Sequence, residues 1–304
     1  MDIALALGGG GSRGYAHIGV IRRLEEEGFR IRAVAGTSAG GIIAALYAAG
    51  RDLDELETYL ADLDQTRLFG RSAKDGPGLL GLSGAEKVLE ELLGDCTFED
   101  LRIPCGMAAT DINSEREVIL NQGRVVDAVL ATIALPGVFP PRQFKDYLLV
   151  DGGVLDNVPV SVARVLAPHL PVVAVVLSPH TDTSGGINHL PLPVAIPAPI
   201  VDRITHMRIT QAFNIFLQAI DIGSNKLTEL RLQIEEPEVI IRPDVGGIGI
   251  LDSVDVHKII RLGEKAAAAT LPELKRTTAW TNRMRRRYFR RRSRDMVEEA
   301  GPEQ

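Results

Sequence analysis

The stretch V-A-G-T-S-A-G-G-I-I-A-A-L-Y-A-A-G, residues 34–50, decides how the rest of the chain is read. Its pentapeptide Gly36-Thr37-Ser38-Ala39-Gly40 lies between an apolar run and a helix-forming segment. A G-x-S-x-G pattern on a sharp strand-to-helix turn exposes the serine hydroxyl, because small neighbours let the chain double back. In isolation the same pattern also describes a plain turn of small residues. A serine hydroxyl attacks esters poorly until a neighbouring group takes its proton, so the stretch asks where the base is.

Working outward, residues 3–7 form a short apolar run that ends in four glycines and reads as a buried strand. Helix-spaced apolar residues follow over 16–24, with Gly28 as the C-cap. A second strand is expected over 31–35, then the Ser38 turn, then a helix over 40–49. Such strand–helix alternation implies right-handed crossovers and a parallel sheet. Further helices are expected over 52–65, 125–133, 160–166, 204–222 and 253–269, and further strands over 104–110, 147–150, 172–177 and 238–242. Ser83 and Glu86 carry a capping-box signature ahead of V-L-E-E-L-L. The prolines of L-P-G-V-F-P-P, 135–141, require an ordered turn. Segment 178–199 is rich in Pro, Gly, Ser and Thr and reads as a lid or binding loop.

Three motifs each follow a predicted strand and so converge on one edge of a parallel sheet, where α/β proteins place their sites. They are G-G-G-G-S-R-G at 8–14, G-T-S-A-G at 36–40 and D-G-G at 151–153. The first brings backbone amides to a helix N-terminus, which suits a negative atom. Its Gly9-x-Gly11-x-x-Gly14 spacing also fits a dinucleotide fingerprint, but that fold requires a carboxylate near the end of the second strand. The second strand here ends Val34-Ala35-Gly36-Thr37-Ser38, so the dinucleotide reading fails. Asp151 follows Y-L-L-V directly, and Gly152 and Gly153 keep bulk away from its carboxylate, placing it within reach of Ser38. Asp156 and Asn157, just ahead of Pro159, read instead as helix caps. A triad in chain order Ser–Asp–His requires a later histidine. Among His169, His180, His189, His206 and His257, His180 alone sits just beyond a predicted strand. His17, on the first helix, reads as a packing or capping residue.

With these residues assembled, the chain resembles the patatin-like phospholipases, in the form of a compact bacterial member. The resemblance rests on G-G-G-x-R-G at 9–14, G-x-S-x-G at 36–40, D-G-G at 151–153 and A-L-P-G-V-F-P-P before the Asp strand, and covers residues 1 to about 272. It implies a three-layer α/β/α sandwich with a mainly parallel central sheet, distinct from the α/β-hydrolases. It implies acyl-ester hydrolysis on lipids by a Ser–Asp dyad without a catalytic histidine. Mapped onto this chain, Ser38 is the nucleophile and Asp151 the base. The N–H groups of Gly9, Gly10 and Gly11 form the oxyanion hole, and Arg13 positions that loop. Gly14, Gly36, Gly40, Gly152 and Gly153 are supporting residues in the three motifs. The alternatives from the residues are a triad esterase using His180, or a regulatory protein that binds acyl ligands without turnover.

Composition bounds the remaining classes. The chain of 304 residues is 45% hydrophobic and 24% charged, ordinary for a globular protein. Its apolar N-terminal run is too short for a secretory signal, and cytoplasmic residence is expected. Cys96 and Cys105 have neither zinc nor disulfide spacing, and no metal or cofactor is expected. Residues 283–294 hold eight arginines and no acid, so the net charge of −6 conceals −14 on the rest of the chain. The segment 273–304 is therefore read as a basic tail appended to an acyl hydrolase domain, 1–272. A basic interfacial helix there suits an anionic membrane at its cytoplasmic face. No nucleic acid partner is expected, because no binding module surrounds the arginines.

Overall fold

The structure, a computed structural model, describes residues 1–70, 78–178 and 200–278, and within these the side chains of all but 66, 67 and 200–214. His180, His189, the loop read over 179–199 and the arginines of 283–294 lie outside the described residues.

The run Asp2–Leu7 forms β1, and its alternation of large and small residues sets the layers. Ile3, Leu5 and Leu7 enter one core, with the helices α1 (Ala16–Glu26), α2 (Ala39–Ala48), α5 (Val125–Thr132) and α8 (Val256–Thr278). Ala4 and Ala6 face the other side, where Ala33 and Ala35 of β2 (Arg30–Thr37) also lie. These alanines leave room for α6 (Val160–Leu166) to approach through Val160, Val162 and Ala163, with Leu232 of α7 (Ile200–Glu235) beside them. A sheet covered on both faces produces strands that read as continuous apolar runs, which is what β1 and β2 show.

Among the described residues, eight strands make one sheet in the order β5-β6-β3-β2-β1-β7-β8, with β4 also paired to β3. The remaining strands are β3 (Cys105–Asp111), β4 (Arg116–Leu120), β5 (Arg142–Phe144), β6 (Tyr147–Asp151), β7 (Val172–Val175) and β8 (Val239–Ile241). The block β3-β2-β1-β7-β8 is parallel, whereas β4, β5 and β6 add antiparallel pairing at the β3 side. The fold is thus the expected mixed α/β arrangement around a mainly parallel sheet.

Several local expectations need correction. The strand carrying Asp151 runs antiparallel to its neighbour, so it does not reach the site in the manner of a parallel strand end. β3 continues past the end of β2 to Asp111, and β6 returns along it to finish at Asp151, opposite Ala109 and level with the end of β2. Ser83 does not cap α4 (Ser83–Leu93), since Leu82 occupies the cap position and the Ser83 hydroxyl donates to Gly70 O. α7 extends to Glu235, thirteen residues beyond the expected end at 222. α8 continues to Thr278 through Pro272, well past 269. The helix α3 (Leu53–Asp62) starts where Asp52 accepts the N–H groups of Asp54 and Glu55. Among the described residues no helix is long and apolar enough to cross a membrane. Both cysteines are free thiols, and burial pushes Cys105 up to about 12.

Candidate active site

The tight turn between β2 and α2 places Ser38 at φ 52° and ψ −123°. A non-glycine residue in that region carries strain of about 1–3 kcal/mol, tolerated when surrounding structure fixes it. Gly40 shows how closely the chain folds here: a Cβ on it would lie 2.1 Å from Leu7 O at the end of β1. The Ser38 N–H is held by Thr132 Oγ1 at 2.9 Å. The serine therefore sits at the positive end of α2.

The glycine loop after β1 lies directly against this turn, since a Cβ on Gly9 would come 3.1 Å from Ser38 Cβ. Its N–H groups are not equivalent. Gly8 N donates to Val175 O, Gly9 N to Asn157 O and Ser12 N to Ile250 O. Gly10 and Gly11 have no N–H acceptor among the described residues. The expectation that Gly9 shares an oxyanion hole with them is thus corrected: its N–H is committed to Asn157. Gly11 adopts φ 57°, and a Cβ there would meet Ile250 O at 1.9 Å, so backbone must be bare at that point.

Asp151 ends β6 almost completely buried, and its Oδ1 accepts the Gly153 N–H at 2.7 Å. Burial pushes the carboxyl up from its ordinary 3.8 to about 6, against the opposing effects of a hydrogen bond with the Ser38 hydroxyl and the Gly153 N–H. Ser38 and Asp151 are therefore brought together, and the carboxylate is a stronger base than an exposed one. Arg13 is buried beneath the glycine loop, its Nε donating to Ile248 O at 2.6 Å. Ser12 Oγ donates to Asp252 O at 2.7 Å, so segment 248–252 braces the loop. Burial lowers the Arg13 guanidinium's affinity for its proton, and Asp221 and Asp252 oppose this.

The structure also places residues that the sequence reading missed or assigned elsewhere. Asp156 and Asn157 do not cap α6, whose cap residue is Pro159 without a side-chain bond. The Asn157 amide lies between glycines, its Oδ1 only 2.5 Å from where a Cβ on Gly9 would stand and 3.1 Å from one on Gly153. Asp156 O accepts the Thr37 hydroxyl at 2.8 Å, next to Ser38. Its carboxyl is buried with Oδ2 2.9 Å from Arg231 Nη2, a charge contact rather than an aligned hydrogen bond. Glu117 and Glu235 pair with the same guanidinium at 3.0 and 2.8 Å. Burial, with Glu117 and Glu235 close by, pushes the Asp156 carboxyl up from its ordinary range against the opposing charge of Arg231. Nothing in the separation of 117, 156, 231 and 235 along the chain foretold this cluster. From α7, Ser224 Oγ also donates to Gly153 O at 2.7 Å.

Among the described side chains, no histidine is hydrogen-bonded to Ser38 or Asp151. His17 is buried, and burial lowers it to about 4, so it is neutral at physiological pH. A carbonyl can only accept, so His17 Nε2 donates to Gly8 O at 2.7 Å and anchors the glycine loop. His257 pairs with Glu57 on α3, and His169 is exposed after α6.

Comparison with known proteins gives the family. The family model described as "Patatin-like phospholipase" matches residues 5–164, which contain the glycine loop, Ser38 and Asp151. An NTE family protein of Mycobacterium tuberculosis is 40% identical over 162 residues, covering 52% of this chain and 44% of that protein. A lysophospholipase named NTE1 from Mycosarcoma maydis is 35% identical over 172 residues, 53% of this chain and 9% of the relative. The chain spans less than half the length of these curated relatives. Among solved structures, VipD from Legionella pneumophila superposes with a TM-score of 0.55 at 14% identity, over 89% of this chain and 66% of that one. The matched model takes in more than half of the chain, and the protein belongs to the patatin-like phospholipase family.

Proposed function

We propose that the protein is a serine acyl hydrolase acting on carboxylic esters of lipids, with lysophospholipid-like esters as the first class to test. The observation that carries this reading is the buried Asp151 carboxylate beside the Ser38 hydroxyl, which holds its proton affinity down against burial. Asp151 accepts the Ser38 proton as Oγ bonds to the ester carbonyl carbon. The resulting oxyanion is met by the unpaired N–H groups of Gly10 and Gly11. Collapse expels the alcohol, which takes the proton from Asp151, and leaves an acyl-serine. Water then attacks that ester while Asp151 removes its proton, and the acid and free Ser38 are released. The lysophospholipase name of one relative supports the choice of substrate class.

The experiment is the pH dependence of kcat/KM for a medium-chain p-nitrophenyl ester and a lysophosphatidylcholine. Asp151 works only when ionised, so activity is expected to rise with pH and half-saturate near 6, where burial places its carboxyl. An acid limb near the ordinary carboxylate value would contradict the buried-base reading. No turnover of either ester would contradict the proposed chemistry.

The oxyanion loop makes a second prediction. Gly11→Ala adds a Cβ 1.9 Å from Ile250 O at a positive φ, and displaces the Gly10–Gly11 amides. Turnover should fall by about 10²–10³-fold, the usual cost of losing an oxyanion donor. Gly28→Ala is the control, because Gly28 has φ 79° but open space around it. It should lower the melting temperature and leave kcat unchanged.

A further inference from the structure

The end of α5 holds both members of the proposed dyad by their backbones. Thr132 Oγ1 accepts the Ser38 N–H at 2.9 Å and donates its own proton to Ala108 O at 2.6 Å. Two residues on, Ala134 O accepts the Asp151 N–H at 2.9 Å. Ala108 is the β3 residue in register with Thr37, so the same hydroxyl is tied to the strand between nucleophile and base. Thr132 and Ala134 are fully buried. The turn that follows is closed by Val138 N and Phe139 N, which both donate to Leu135 O. Leu80 N donates to Val138 O from the segment just ahead of α4. The proline-rich run 135–141 thus acts as a fixed foot for residues 132–134.

We propose that Thr132 is a positioning residue for ester hydrolysis: its hydroxyl holds the Ser38 backbone at the positive φ that aims Oγ at Asp151, while Ala134 fixes Asp151 from the same short segment. The proposal rests on the Ser38–Asp151 reading above. Three features support it. Ser38 needs external restraint to keep its conformation. The Ser38 N–H is offered an acceptor by a side chain rather than by helix or sheet. The Thr132 hydroxyl is used in both directions, so rotation cannot free it without leaving a buried group unpaired. The Thr132 methyl has a separate role, packing where a Cβ on Gly41 would come within 2.7 Å of Cγ2.

The test compares Thr132→Val, which keeps the shape and loses the acceptor, with Thr132→Ser, which keeps the hydroxyl and loses the methyl. Thr132→Val is expected to lower kcat about 100-fold, the effect of a misplacement of roughly 1 Å, with KM nearly unchanged. Its rate of inactivation by a fluorophosphonate should fall by about the same factor, since both reactions need an aligned Oγ. Thr132→Ser should stay within about threefold of wild type in kcat. If Thr132→Val does not fold, Thr132→Cys carries the same expectation, because sulfur is a weak acceptor. Full kcat in the Val or Cys variant overturns the proposal, as does a Ser variant that falls as far as Val. Ser38→Ala, measured alongside, separates the two levels of the account. Retained turnover in Ser38→Ala removes the dyad itself, whereas a dead Ser38→Ala with a fully active Thr132→Val removes only the role of Thr132.

Discussion

Ser38→Ala is expected to lower ester turnover by about 10⁴-fold or more, leaving only what binding and the oxyanion loop supply. Loss on this scale follows because an acyl-serine cannot form, so no second side chain takes up the chemistry. The fold should persist, since Thr132 still receives the residue-38 N–H and alanine carries the same backbone strain as serine. One secondary effect is specific to this geometry. The Ser38 hydroxyl holds the Asp151 carboxyl down against burial, so removing it should raise that carboxyl above about 6. Titration of Asp151 by carboxyl-carbon NMR in the two proteins measures the change. An unchanged or lowered value would mean that the two side chains do not interact.

Asp151→Asn is expected to lower turnover by about 10⁴-fold and to make the protein more stable. The two effects have one cause. Holding a carboxyl at about 6 instead of 3.8 means that its ionised form costs the folded state about 3 kcal/mol at neutral pH. Asparagine removes the charge and can still accept the Gly153 N–H through its oxygen. The sign has a defined pH window. Below about 3.8 the carboxyl is protonated in both folded and unfolded chains and the cost is absent. Between about 4 and 6 the unfolded chain releases the proton first, so wild type loses stability relative to the variant. Above that range the difference is constant. Urea unfolding at pH 4 and pH 7 should therefore show a gap between the proteins that widens with pH. A gap that narrows, or an Asn variant less stable at pH 7, would contradict the desolvated base.

Much of this site is legible in the sequence because it is built from local turns at strand ends. The I-A-L-A-L of β1 specifies a sheet covered on both sides, and a glycine-rich loop or a G-x-S-x-G after such strands has few alternatives. What is illegible depends on contacts that no local pattern carries. Arg142–Phe144 is an edge strand with no apolar alternation, made a strand by its pairing with β6. Gly223, Ser224 and Asn225 read as the end of a helix, yet α7 runs through them. Ser224 reaches Gly153 O, and Asn225 donates to Asp221, so their polar groups are satisfied without ending the helix. Gly9 looks identical to Gly10 and Gly11 until Asn157, nearly 150 residues later, takes its N–H. Asp156 resembles a helix cap until Arg231 and two glutamates converge on it from α7 and β4. Thr132 lies inside an ordinary apolar helix, and its hydroxyl has no visible task until Ser38 is folded against it.

The most direct measurement is covalent. The wild-type protein is treated with a fluorophosphonate near pH 8, its intact mass is recorded, and the adduct is located by peptide mapping. One adduct per chain is expected, on the peptide containing Ser38, absent in Ser38→Ala and formed far more slowly in Asp151→Asn. An adduct on another residue, or one that persists after Ser38→Ala, would contradict the assignment of Ser38 as the nucleophile.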